Sequence, residues 1–239
     1  QEMWEVGKLI DPNVTSLIEY RDILNNDPKY QIHGKEQFKN WLEGITYMAI
    51  KNLNKTVFDI PRAARDCKVY LDEDTTDESP YYLGPSDDLT RPAKTSYPTL
   101  GKDVFSTWEN YSTWFHESVP GHHMQIITSY LNKDTLTKFQ RNDAWNSGYG
   151  EGWALYAERF MDELGAFDEP SLELGYLSGQ ALRAARVVVD IGMHCGFKAP
   201  NGKVWDAQSG FELLVDNAMM APDFAKSEIE RYLGWPGQA

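Results

Sequence analysis

The sequence predicts one mainly helical domain over residues 1–239 with a small β insert near 66–100. Two observations lead there. Apolar residues recur at helical spacing along most of the chain, above all over 35–53 and 171–196. The long stretch that breaks this rhythm, about 72–98, is dense in prolines and turn residues and follows a β-like run. A length of 239 residues suits one large domain or two small ones, and a 41% hydrophobic content is enough to build a core.

In chain order, residues 14–25 read as a short helix ended by Asn25-Asn26-Asp27-Pro28. Over 35–53, Phe38, Trp41, Leu42, Ile45, Met48, Ala49 and Leu53 fall on one helical face. His33, beside Gly34, reads as a surface or capping residue. The rhythm changes at Phe58-Asp59-Ile60-Pro61, and residues 67–71 look like a strand. The acidic run Asp72, Glu73, Asp74, Asp77, Glu78 lacks the glycine and terminal glutamate of a calcium loop, so it reads as a solvated face. Pro80-Tyr81-Tyr82-Leu83-Gly84-Pro85 fits a further short strand. From Lys102 the chain turns helical, with Val104, Phe105, Trp108, Tyr111, Trp114 and Phe115 forming a stripe that runs into His116. Helices are then expected over 124–131, from Asp134 to about Gln140, over 151–164 closed by Gly165, and over 171–196, 206–220 and 223–233. Pro222 sits well at the start of the last.

Net charge is −13, which argues against nucleic acid and anionic membranes as partners, since both need a basic face. No apolar run approaches the ~20 residues that span a bilayer. Cys67 and Cys195 imply no disulfide framework, and Cys195 reads as core at the end of an apolar helix. Cytoplasmic and exported locations both fit, and no oligomeric state can be read from the chain.

The most informative stretch is Phe115-His116-Glu117-Ser118-Val119-Pro120-Gly121-His122-His123. Zinc peptidases place two histidines at i and i+4 on one helix, with a glutamate between them to handle the proton of the metal's water. Here His116 and His122 are six apart. On a straight helix their Cα atoms would stand roughly 9 Å apart and about 120° around the axis. Pro120 has no N–H for the His116 carbonyl, and Gly121 permits unusual backbone. Together they can form a wide turn that returns His122 to the place of the i+4 ligand. His123 is the rival ligand, or a residue that faces the cleft or holds the turn. Two structural histidines beside a kink is the plainer alternative. A catalytic zinc site wants a third protein ligand. Glu151, flanked by glycines that allow another backbone close, is the candidate, and Glu158 shares its face at i+7. A glutamate that merely suits the helix dipole is the simpler account of Glu151.

Glu151-Gly152-Trp153-Ala154-x-Tyr156-x-Glu158 resembles the Asn-Glu-Gly-Phe-Ala-x-Tyr-x-Glu helix of aminopeptidase-N-like gluzincins. Taken with His-Glu-x-x-Pro-Gly-His-His-x-Gln over His116–Gln125, and Leu-Arg-Ala-Ala-Arg-x-Val-Val-Asp-x-Gly-x-His over Leu182–His194, the chain is similar to the bacterial domain of unknown function 885 family. The resemblance implies a zincin-like helical metallopeptidase domain. It implies one zinc ion held by His116, His122 and Glu151, Glu117 as general base, and a peptide or small amide as substrate. Members of that family are about twice this length, which leads us to expect a piece truncated at both ends, stopping within Trp235-Pro236-Gly237-Gln238-Ala239.

Arg186, Asp190 and His194 stand at i, i+4 and i+8 on an otherwise apolar helix, and Arg183 joins them at i−3. They suit an internally satisfied ion-pair ladder. They equally suit groups that orient a ligand or grip a substrate carboxylate. Tyr82, in the β insert, is a candidate for lining the cleft. The expectation is therefore a zinc-dependent peptidase, with a metal-binding helical domain that does not catalyse in this form as the alternative.

Overall fold

A computed structural model describes residues 1–75 and 79–237. Asp77 and Glu78 of the acidic run, and Gln238 and Ala239 of the final segment, lie outside the described residues. The elements in order are α1 (Glu2–Ile10), α2 (Leu17–Asn26), β1 (Gln31–His33), α3 (Lys35–Leu53), β2 (Lys68–Asp72), β3 (Tyr81–Leu83), β4 (Lys94–Pro98), β5 (Val104–Ser106), α4 (Thr107–Glu117), α5 (His122–Leu131), α6 (Lys138–Asn142), α7 (Ser147–Glu163), α8 (Pro170–Cys195), α9 (Ala207–Ala218) and α10 (Pro222–Gly234). The fold is mainly helical with small sheets, as the periodicity predicts. The chain divides into two compact units, Gln31–Asp168 and Gln1–Tyr30 with Glu169–Ala239.

In the unit Gln31–Asp168, α4 is the central helix. Trp108, Trp114 and Phe115 are buried along it, and the Trp114 indole donates to Thr46 Oγ1 of α3 at 2.9 Å. Ala154 and Ala157 of α7 are buried too. Side chains this small let α4 and α7 approach closely, so polar groups of the two helices can meet. The insert is a three-stranded sheet in the order β2-β4-β3, with β2 parallel and β3 antiparallel to β4. Val69 and Tyr82 both pair with Thr95, which puts these three on one face.

The structure departs from the periodicity in several places. Val104 and Phe105 belong to β5, not to the helical stripe. Their backbone pairs antiparallel with Gln31–His33, forming a two-stranded ribbon outside the insert. Helix α1 has no counterpart in the sequence reading, although Met3 and Val6 give it a buried side. Helix α6 starts from Thr137, where a capping box with Gln140 satisfies the free backbone N–H groups that Asp134 was expected to meet. Helix α7 starts at Ser147, capped by Asn146, so Glu151 lies a full turn inside it rather than at its opening.

The unit Gln1–Tyr30 with Glu169–Ala239 packs α8, α9 and α10 around Val189, Leu214, Ala225, Ile229 and Tyr232. Pro222 is in the first turn of α10, and Gly196 ends α8 in the left-handed conformation that favours glycine. Cys195 is exposed and free, not core; it is the last residue of α8, where the helix stops.

Candidate metal centre

Helix α4 ends at Glu117 and α5 begins at His122, so the Pro-Gly pair does break the helix. The chain between them folds back over the last turn of α4. The Ser118 amide and hydroxyl both donate to the Trp114 carbonyl, at 2.9 and 2.6 Å. The Gly121 amide reaches back to the Phe115 carbonyl at 3.1 Å. A Cβ at 121 would stand 1.9 Å from the His116 carbonyl oxygen. Gly121 has φ −72, so contact with the backbone, not a left-handed conformation, is what demands glycine there. The indole of Trp153 holds the loop from outside by donating to the Pro120 carbonyl at 2.9 Å.

This turn brings the two imidazoles together. The rings of His116 and His122 are 4.8 Å apart and perpendicular. Ligand atoms of His116, Glu117 and His122 all lie within 4.8 Å of one another, and all three residues are buried. Glu151 Oε2 sits 3.2 Å from His116 Nε2 and 3.6 Å from His122 Nε2. Two imidazoles and two carboxylates thus converge, a donor set suited to zinc. Those two imidazoles hold the Glu151 carboxyl well below the usual carboxylate range.

On the other side of its ring, His116 Nδ1 lies 2.8 Å from Glu158 Oε1. Glu158 is fully buried, and its second oxygen accepts from the Ser112 hydroxyl of α4. Burial pulls the His116 pKa down, but hydrogen bonds to Glu151 and Glu158 and the charge of Glu117 outweigh it and raise it to about 9. The His116 Nδ1 faces Glu158 and its Nε2 faces Glu151, so each ring nitrogen has a carboxylate partner. His122 Nδ1 is buried without a hydrogen-bond partner among the described residues.

His123 points elsewhere. It is wholly buried, and its ring meets Tyr82 of β3 edge-on at 5.6 Å. Burial outweighs the pull of Asp66 and the Ala64 backbone and lowers its pKa to about 4. Tyr82 is therefore in contact with this histidine, and burial raises its phenol pKa. The two sequence candidates pack on each other where the sheet meets α5.

The glycines beside Glu151 do not bring in another backbone. A Cβ on Gly150 would run into the Trp145 ring at 2.1 Å, while one on Gly152 would meet nothing within 4 Å. Trp145 in turn sits 6.0 Å from the His122 ring. Trp145 and Ser112 escaped the sequence reading. Ser112 precedes His116 by four residues on the same helix, a signal that was there to be used; Trp145 had none.

In the unit that holds α8, the polar track finds internal partners. His194 Nε2 lies 2.8 Å from the Tyr232 carbonyl and 3.4 Å from Asp190. Asp190 also accepts from the Gly237 amide at 3.2 Å. Arg186 approaches Glu228 at 3.7 Å, and Glu228 is shared with Arg231 and the Tyr232 hydroxyl. Arg183 runs along α8, its Nη1 3.2 Å from where a Cβ on Gly179 would stand. Of this track only Asp190 is buried, as is Glu228, the partner of Arg186; Arg183 and Arg186 are partly exposed and His194 is exposed.

A family model described as "Bacterial protein of unknown function (DUF885)" matches residues 1–239. Two solved structures share the fold. A protein from Colwellia psychrerythraea described as a "putative lipoprotein" is 24% identical with a TM-score of 0.84, over 99% of this chain and 40% of that one. Another from Shewanella oneidensis, described as a "putative lipoprotein of unknown function", is 18% identical with a TM-score of 0.70, over 97% of this chain and 43% of that one. The chain thus spans about two-fifths of the length of the structures it matches. No curated protein matches it.

Proposed function

The chain belongs to the DUF885 family of bacterial proteins, and from that premise we propose that it is a zinc-dependent, gluzincin-like hydrolase of peptide (amide) bonds. The observation that carries the reading is that ligand atoms of His116, Glu117 and His122 lie within 4.8 Å of one another, with Glu151 Oε2 at 3.2 and 3.6 Å from the two histidine Nε2 atoms and His116 backed by a buried carboxylate. His116 Nε2, His122 Nε2 and Glu151 would hold the ion. When bound, zinc supplies a Lewis acid that acidifies water and polarises an amide carbonyl.

The protein's own groups do the rest. Glu158 keeps the proton of His116 on Nδ1, which fixes the tautomer and strengthens Nε2 as a donor. Glu117 follows His116 directly and shares its helical turn, so it is anchored beside the ligands. It would take a proton from the attacking water and pass it to the leaving amine nitrogen. His116, Glu117 and His122 are buried, while Glu151 is half exposed and leaves the centre open to solvent on its side.

Either carboxylate is near enough to be the third ligand. Glu151 is preferred because one of its oxygens lies within 3.6 Å of both Nε2 atoms, which leaves Glu117 for the proton. Metal analysis and a peptide-library assay on two variants decide this. Glu117→Gln should keep zinc and lose hydrolysis by about 10²–10⁴-fold; Glu151→Gln should lose zinc. Zinc with no turnover in the wild-type 239 residues would favour metal binding without catalysis. An exported setting is in keeping with the description of both structural relatives as lipoproteins. Among the described residues no helix is long and apolar enough to cross a membrane.

A further inference from the structure

Trp145 stands in the loop between α6 and α7 and is 55% exposed, yet its place is built. Its six-membered ring lies over Gly150, where a Cβ would meet it at 2.1 Å, and Gly150 is buried. Gly150 is inside α7 and has no positive φ, so its backbone does not require glycine. A glycine inside a helix gives up helix propensity. What it makes room for here is an indole that keeps more than half of its surface in water.

The same ring stands 6.0 Å from that of His122, tilted by 59°. Glu151, next in sequence to Gly150, brings its carboxylate to 3.6 Å from His122 Nε2 and is itself half exposed. Trp145 therefore borders one candidate ligand and the backbone beside another, at the part of the centre that solvent reaches. A ring held in place at that rim is positioned to meet an apolar group that arrives from solvent.

We propose that Trp145 is a specificity-determining residue of the candidate hydrolase. It is a shelf for the side chain of a residue flanking the cleaved bond, so the substrates are peptides with a bulky apolar residue, aromatic or aliphatic, at that bond. The inference rests on the hydrolase reading and deepens it. A peptide bond held at His116, His122 and Glu151 has its flanking side chains close to the His122 ring, and the indole is the apolar surface beside that ring. A large apolar side chain laid on it loses water-exposed area on both partners, and a small one does not.

The test is digestion of a peptide library by the zinc-loaded protein, with cleavage sites read by mass spectrometry. It is followed by kcat/KM for matched peptides that carry phenylalanine, leucine or alanine at the preferred position. The wild type should favour phenylalanine and leucine over alanine by at least about tenfold. Trp145→Ala should shrink that ratio toward one, mainly through KM, with zinc content unchanged, and Trp145→Phe should keep most of it. A wild type with no bulky apolar preference beside the cleaved bond overturns the proposal, as does a preference that survives Trp145→Ala. Loss of zinc from Trp145→Ala also overturns it, because the indole would then be a support of His122 and not a surface for substrate. The hydrolase reading fails in a different way: a wild type that takes up no zinc, or holds zinc and cleaves no peptide, overturns that reading, and this inference falls with it.

Discussion

Glu158 Oε1 accepts from His116 Nδ1 at 2.8 Å across the α4–α7 contact, with the two side chains 1% and 8% exposed. A carboxylate buried this deeply costs free energy unless it is paired, and the pairing here is with a histidine of the candidate metal centre. Its distance in sequence, 42 residues, makes it a tertiary contact.

The first prediction follows from that pair. Glu158→Gln leaves a hydrogen-bonding group in place but removes the charge that holds the His116 proton. Zinc affinity should fall by about 10–100-fold, measured by competition with a chromophoric chelator. Unchanged affinity would separate Glu158 from the metal site.

Two glycines should respond with opposite signs. Gly121→Ala drives a methyl group into the His116 carbonyl, so it should destabilise by at least the ~1–3 kcal/mol typical of overpacking and abolish zinc binding. Gly152→Ala meets open space inside α7 and should stabilise by roughly 0.5–1 kcal/mol through helix propensity. Thermal unfolding of both variants checks the pair.

His123 gives a pH dependence with a defined direction. The folded protein takes up this proton only near pH 4, whereas an unfolded histidine takes it near 6.5. Between those values the unfolded chain binds more protons, so stability falls as pH drops from 6.5 toward 4 and is whole above 6.5. The expected loss from this group is roughly 2–4 kcal/mol. Denaturant titrations of wild type and His123→Phe should differ in slope by about one proton across that window, and by none above it.

Thiol chemistry should count one cysteine in the native protein. Cys67 is buried against Thr95, and burial pushes its pKa up to about 12, so little thiolate forms at neutral pH. Cys195 is exposed. A disulfide-exchange reagent should titrate one thiol per folded chain and both after denaturation. Rapid reaction of both in the folded state would contradict this packing.

The sequence by itself determined the helical class, the insert and the break at Pro120-Gly121, because each is written locally. Apolar spacing, a missing N–H and clustered turn residues act within a few positions of one another. It also named His116, Glu117, His122, Glu151 and Glu158 through their motifs. Only the tertiary structure decided what those residues touch. His122 turns to His116 while the adjacent His123 turns to Tyr82, and no spacing rule distinguishes two neighbouring histidines beyond a turn. Val104 and Phe105 look helical in sequence but pair with Gln31–His33, since a strand partner some seventy residues away leaves no local trace. The role of Gly121 is the plainest case. Sequence marks it as a place of backbone freedom, whereas the fold uses it because the His116 carbonyl occupies the space where any other residue would carry its Cβ.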